Sequence, residues 1–164
     1  MAILALDLGL RCGWAVNVLE RVGGEYLGGT WDLRPRVQDS RSMYLVKFRR
    51  QLELLGEAAS IEHIVYEGVT FAVTAHAAHL WGAMQGQLML WADEHEIPYE
   101  AVQVPRLKKW ATGKGNAGKG AMIAACCERC GTNPADDNEA DARLLLAYAL
   151  ENCAAKATDR GDGG

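Results

Sequence analysis

Met1-Ala2-Ile3-Leu4-Ala5-Leu6-Asp7-Leu8-Gly9 decides how the rest of the chain is read. Apolar residues run straight into one carboxylate. A short continuous apolar run predicts a strand buried on both faces. An unpaired aspartate is costly in such a strand. Gly9 and Gly13 predict a tight turn, and Ala15-Val16-Asn17-Val18 predicts a second strand that returns antiparallel. Asp7 is therefore either a cap for that turn or part of a metal or phosphate site. The stretch alone leaves both readings open.

Working outward, Glu25 to Leu33 predicts a third strand, with Gly23-Gly24 marking the hairpin before it. Three successive strands make a meander, which Arg34-Pro35-Arg36 ends. Ser40 to Ala59 predicts a helix with an apolar face of Met43, Leu45, Val46, Phe48, Leu52, Leu54 and Leu55. Ile61 to Val69 predicts a fourth strand that repeats the first, an apolar run ending in Glu67 and Gly68. Thr74 to Glu94 predicts a long helix. Its Gly82 and Gly86 lie one turn apart and form a flat patch. Packing onto the chain's own sheet is the expected use of that patch, and a closely packed dimer helix is the alternative.

Ile97 to Val104 predicts a fifth strand, with Pro98 at its start. A short helix from Pro105 to Trp110, a Gly-rich loop over 113–118 and a helix from Lys119 to Arg129 follow. After the break at Asn133-Pro134, a last helix spans Asp137 to Asn152. Residues 154–164 read as a disordered tail, leaving 1–153 as one α/β domain. A meander followed by alternating helices and strands predicts a five-stranded mixed sheet flanked by helices. This is the ribonuclease H-like arrangement.

The chain of 164 residues is long enough for one domain with a proper core. It has no apolar run near the ~20 residues of a membrane span, and no basic-then-apolar leader. Cys12, Cys126, Cys127, Cys130 and Cys153 lack the spacing of a disulfide framework, which predicts a reducing cytoplasm. Cys127-x-x-Cys130 has no second ligand pair, so packed or idle thiols are expected rather than half of a zinc site. The formal net charge of −4 argues against a generic polyanion binder. Yet five basic residues and no acid lie between Arg106 and Lys119.

If the first and fourth strands are parallel neighbours, Asp7 and Glu67 emerge at the same sheet end, where open α/β sheets place their sites. Asp136-Asp137-Asn138-Glu139-Ala140-Asp141-Ala142 adds more acids, with Asp137 and Asp141 one turn apart on one helix face. A solvated acidic helix start is the bland alternative, but Asp141 runs into the core-like Leu144, Leu145, Leu146 and Tyr148. Converging carboxylates need cations or protons. Oxygen ligands without His or Cys suit Mg²⁺ or Mn²⁺. Two such ions ~4 Å apart activate a water and stabilise the leaving oxygen of a phosphodiester.

Arg106 to Lys119 is the complement to these acids. Its glycines admit phosphates and its lysines neutralise them, which marks Lys108, Lys109, Lys114, Asn116 and Lys119 as candidate DNA contacts. Gly113 to Lys119 also satisfies the start of a nucleotide-binding P-loop. Gly120 stands where the Mg²⁺-binding Ser or Thr belongs, and no buried strand precedes the loop, so no nucleotide cofactor is expected.

Asp7-Leu8-Gly9, Tyr66-Glu67, the Lys-Lys-x-x-x-Gly-x-Gly-x-Ala-x-Lys segment from Lys108 to Lys119, and Asn138-Glu139-Ala140-Asp141-Ala142 occur in this order. Together they resemble RuvC-type Holliday junction resolvases, over about residues 2 to 150, with wording closer to the phage-type branch. The resemblance implies a ribonuclease H-like fold and a homodimer. It also implies a nuclease using two Mg²⁺ ions, with Mn²⁺ as substitute, that nicks paired strands of a four-way DNA junction and leaves 5′-phosphate and 3′-hydroxyl ends. It places Asp7, Glu67 and Asp141 among the metal ligands, and Lys108 and Lys119 near the scissile phosphate. The fourth carboxylate of the family falls at Asn138. Asp137 shares a helix face with Asp141 and is the expected substitute, with Asp136 and Glu139 less suitable. Phe71 is the candidate for the family's wedge at the junction, or else a core residue.

Three rivals follow from the same residues. The first is a less selective nuclease of this fold, acting on branched, flap or single-stranded DNA. The second is an actin- or sugar-kinase-like lobe, for which the chain is too short. The third is a non-catalytic DNA-binding module, which would gain from losing its acids.

Overall fold

The computed structural model describes residues 1–17, 26–69 and 74–159, with side chains to Cys153. The elements run β1 (Ile3–Asp7), β2 (Arg11–Val16), β3 (Leu27–Asp32), α1 (Met43–Ala58), β4 (His63–Gly68), α2 (Ala75–Glu94), β5 (Tyr99–Gln103), α3 (Val104–Thr112), α4 (Lys119–Cys130) and α5 (Asp137–Asp159). They form a five-stranded sheet of order β3-β2-β1-β4-β5. β1, β2 and β3 are the antiparallel meander, while β1–β4 and β4–β5 are parallel pairs. This is the expected mixed α/β sheet. Phe71, Val18 and Glu25 lie outside the described residues.

Strand side chains alternate between the two faces of a sheet, and the sequence uses the two faces differently. Leu4, Leu6, Val16, Ile64 and Tyr66 pack with Phe48 and Leu52 of α1 and with Met84, Leu88 and Trp91 of α2. Ile3, Ala5, Ala15 and Val65 pack under α3, α4 and α5. The α5 face carries small residues where the helix crosses it, and the helix answers with its own Ala140, Ala142 and Ala149. Small against small brings the helix close to the sheet. The same alternation places Asp7, two beyond Ala5, and Glu67, two beyond Val65, on this α5 face.

Gly13 is the contact where this closeness is greatest. It pairs with Asp7 in the β1–β2 ladder. A Cβ built on it would lie 1.9 Å from the Asn138 carbonyl oxygen and 3.3 Å from the Ala142 Cβ. Only a glycine lets the first turn of α5 rest on β2 here.

Two expectations change. Gly82 and Gly86 do not pack on the sheet: both are exposed and a Cβ on either would meet nothing within 4 Å. The buried stripe of α2 is Met84, Leu88, Trp91 and Ala92, which turns the glycines to the opposite side. The last helix does not end at Asn152 but runs to Asp159. Residues 160–164 lie outside the described part. On α1, Phe48 and Leu52 carry the burial, while Val46 and Leu54 are exposed. The thiols are free; Cys12 and Cys126 are buried and Cys127 is exposed. No described helix is long and apolar enough to cross a membrane.

Candidate active site

Asp7 ends β1 and Glu67 lies near the end of β4, its neighbour, where Leu6 pairs with Tyr66 in parallel register. Asp141, one turn into α5, comes down onto the same face. One oxygen from each of Asp7, Glu67 and Asp141 lies within 4.8 Å of the others. Three elements distant in sequence thus deliver three carboxylates to one point. Tyr66, beside Glu67, accepts a hydrogen bond from Gln85 of α2 at 2.9 Å, which ties β4 to the helix behind it.

All three acids are shifted upward, with burial the first cause for each. Burial is the first cause for Asp7, followed by the charge of Asp141, and its pKa rises to about 7. Burial, then Asp7 and Asp141, push Glu67 well above the usual carboxylate range. Burial also lifts Asp141 to about 6, against the pull of Lys108 and Lys119. A hydrogen bond between Asp7 and Glu67 lowers the pKa of Asp7 and raises that of Glu67. The buried Asp141 Oδ1 has no hydrogen-bond partner. A buried acid oxygen without a partner, on a residue of a cluster that offers oxygen ligands and no nitrogen or sulfur, fits a hard divalent cation.

The remaining acids of α5 have other partners. Asp137 takes the Lys119 ammonium at 2.6 Å. It adds to the field on Asp7 and Asp141 but is outside the group of three. Asp136 accepts hydrogen bonds from Arg11 at 2.7 Å, Thr30 at 2.6 Å and the Glu139 amide at 2.9 Å. Burial works against its charge, but these bonds prevail and hold it down at about 2. Glu139 is buried in an ion pair with Arg143 at 2.7 Å, and Arg143 also donates to the Tyr26 carbonyl. Asn138 offers its backbone to Gly13. Sequence spacing pointed to neither Arg11 nor Thr30 nor Gly13. Each acts through a partner on α5, more than a hundred positions away.

The expected basic residues divide between places. Lys108, half-buried on α3, stabilises the charged forms of Glu67 and Asp141. Lys119 opens α4 beside Asp137. Lys109, one residue on from Lys108, lines an open cleft of about 480 Å³ with Arg106, Trp110 and Tyr148. Arg129 covers the Trp110 ring at 4.4 Å and donates to the Trp110 and Ala111 carbonyls, fastening the end of α3 to α4. Lys114 and Asn116 are exposed on the intervening loop. Gly113 begins that loop in the left-handed region, at φ 81°, and Thr112 Oγ1 hydrogen-bonds the Lys114 amide and carbonyl. The backbone is pinned and the side chains face water.

The raised pKa values set a pH dependence. Metal binding needs the anionic acids, whereas the free fold favours protonated ones, so affinity must rise as pH rises through about 6 and 7. A Mn²⁺ titration between pH 5.5 and 7.5 is expected to show about a tenfold gain per pH unit for each proton displaced. A flat profile would show that the cluster binds no ion at these oxygens.

No protein-family model matches the chain, and no curated protein matches it by sequence. Solved structures do. Thermus thermophilus RuvC superposes with a TM-score of 0.72 at 21% identity, covering 93% of this chain and 97% of that one. The same protein in complex with a Holliday junction substrate gives 0.76 at 18% identity, covering 93% and 94%. The yeast mitochondrial Holliday junction resolvase Ydc2 gives 0.60 at 12% identity, covering 88% and 75%. With its sheet order and flanking helices, the chain has the ribonuclease H-like fold of RuvC.

Proposed function

We propose that this chain is a metal-dependent, structure-selective endodeoxyribonuclease that resolves four-way DNA junctions by paired nicks. The observation that carries it is the meeting of Asp7, Glu67 and Asp141 within 4.8 Å, beside the lysines of α3 and α4. T. thermophilus RuvC, whose fold this chain shares, is solved with a Holliday junction substrate. The setting we infer is the cytoplasm, in DNA recombination and repair or in phage DNA processing.

Asp7, Glu67 and Asp141 would hold Mg²⁺, with Asp137 completing a two-ion site once Lys119 releases it; Mn²⁺ has the same ligand preference. Bound ions would supply an activated water and charge neutralisation at the scissile phosphodiester. The chain's own residues do the rest. The strands fix two carboxylates, and Lys108 favours the ionised forms of Glu67 and Asp141. Lys119 and Lys108 offset the charge that builds on the phosphate oxygens. Lys109, Lys114 and Asn116, joined by Arg106, extend the basic surface over which a DNA arm lies.

The homodimer we assign to α2. Its exposed side carries Gly82, Gly86 and Leu90, the last 54% exposed. Glycines one turn apart let two helices approach closely. Phe71 as a wedge belongs to the same proposal.

The deciding experiment incubates the protein with labelled four-way junction, matched duplex, flap and single-stranded DNA, with and without Mg²⁺. Symmetric nicks in the junction, only with metal, are expected. Equal cutting of flap and single strand would make it a less selective nuclease of this fold. No cutting of any of them would overturn the proposal. For the loop, Lys114→Ala is expected to weaken junction binding and to reduce the slope of log affinity against log salt by about 1. An unchanged slope would remove Lys114 from the DNA surface.

A further inference from the structure

The start of α5 gathers acids of different employment. Asp141 reaches the site and Asp137 holds Lys119. Asp136 does neither. It caps the helix: its Oδ1 accepts from the Glu139 amide at 2.9 Å, and its carbonyl accepts from the Ala140 amide at 3.1 Å. An aspartate at this position satisfies an amide the helix cannot satisfy itself. Glu139 turns back to accept from the Ala135 amide at 2.9 Å, much as in a capping box.

The same Asp136 carboxylate also reaches the sheet. Thr30 of β3 donates to Oδ1 at 2.6 Å, and Arg11 of β2 donates to Oδ2 at 2.7 Å. Two strands and the helix therefore meet in one side chain. Gly13, opposite Asp7, is the surface against which that turn is pressed. From this anchor to Asp141 is little more than one helical turn, too short for the helix to absorb an error in placement.

We propose that Asp136 is a positioning residue, a carboxylate that clamps the first turn of α5 to Arg11 and Thr30 and so sets where Asp141 stands relative to Asp7 and Glu67. It touches neither ion nor substrate. The inference rests on the reading that Asp7, Glu67 and Asp141 hold a divalent ion. It separates the roles of neighbouring acids: Asp136 aligns, while Asp137 and Asp141 face the chemistry.

The test is Mn²⁺ affinity by calorimetry, well below the unfolding temperature, beside thermal unfolding of the same samples. Asp136→Ala is expected to lower affinity about tenfold, the scale seen when an outer partner of a ligand is lost. Asp136→Asn is expected to lose less than alanine, because its oxygen still caps the helix and accepts from Thr30, while its amide nitrogen can no longer accept from Arg11. Arg11→Ala and Thr30→Val, each removing one bond, are likewise expected to fall between the unaltered protein and Asp136→Ala, and they carry the test if Asp136→Ala does not fold. Phe48→Leu, on the far side of the sheet, is expected to lower the unfolding temperature without changing affinity.

If asparagine were as damaging as alanine while Arg11→Ala and Thr30→Val changed nothing, Asp136 would act through its own charge and the proposal would be overturned. Unchanged affinity in Asp136→Ala would overturn it too, as would an equal loss in Phe48→Leu. Absence of Mn²⁺ binding by the unaltered protein would overturn the metal reading itself, and that failure appears before any substitution is made.

Discussion

Asp7→Asn is expected to abolish junction cleavage, by about a thousandfold or more, while leaving junction binding nearly intact. The amide has the shape of the carboxylate but no charge to offer a cation. In the folded protein the Asp7 carboxyl already carries a raised pKa, about 7, from burial and from the charge of Asp141. Its ionised form is thus unfavourable without metal, and removing it relieves the fold. A group with a raised folded-state pKa favours folding most at low pH, and that advantage is lost as pH rises through the folded value. The metal-free variant is therefore expected to unfold at nearly the same temperature as the unaltered protein only below pH 3.8, the ordinary aspartate value, and at an increasingly higher one as pH rises through about 7 to pH 8. The basic surface of α3 and α4 is untouched, so junction affinity should hold. Full cleavage by the variant would remove Asp7 from the chemistry, and a lower unfolding temperature at pH 8 would make it a structural acid.

Gly13→Val is expected to be among the most damaging single changes to the fold. The added Cβ would meet the Asn138 carbonyl oxygen at 1.9 Å and its carbon at 2.5 Å. These are backbone atoms, held by the cap of α5, and no rotamer change relieves them. Either β2 or α5 must move. Overpacking of this kind costs about 3 kcal/mol or more, to be read by urea unfolding. Because Gly13 pairs with Asp7, displacement here also moves a ligand, so Mn²⁺ affinity should fall with stability. Gly120→Ala is the control. A Cβ there meets nothing within 4 Å, and stability should change by less than about 1 kcal/mol. Near-normal stability of Gly13→Val would show that α5 does not need this close approach.

The first and fourth strands were readable because their signal is local. An apolar run ending in an acid and a glycine occurs at both Asp7 and Glu67, and a parallel pairing brings the two together. Asp141 was readable from the core-like residues that follow it. The division of labour among Asp136, Asp137 and Asn138 was not. Helical spacing tells which residues share a face, but not where the helix begins, and here the first residue is a cap whose partners are Arg11, 125 positions away, and Thr30. The orientation of Gly82 and Gly86 was misread for a related reason. A glycine pair marks close approach without saying to what, and the large residues of α2 had already taken the sheet side.

The acids of the site stand at positions 7, 67 and 141, and this spread has a consequence during synthesis. A nascent chain that has emerged only as far as β5 holds two of the three carboxylates. It has neither α5 nor the small-residue face covered by that helix. Such an intermediate cannot assemble the ion site, whatever the metal concentration around it. Under the proposed function, the nuclease would be inactive until α5 has been made and packed on the sheet. The last helix in the chain is the one that completes the group of three carboxylates.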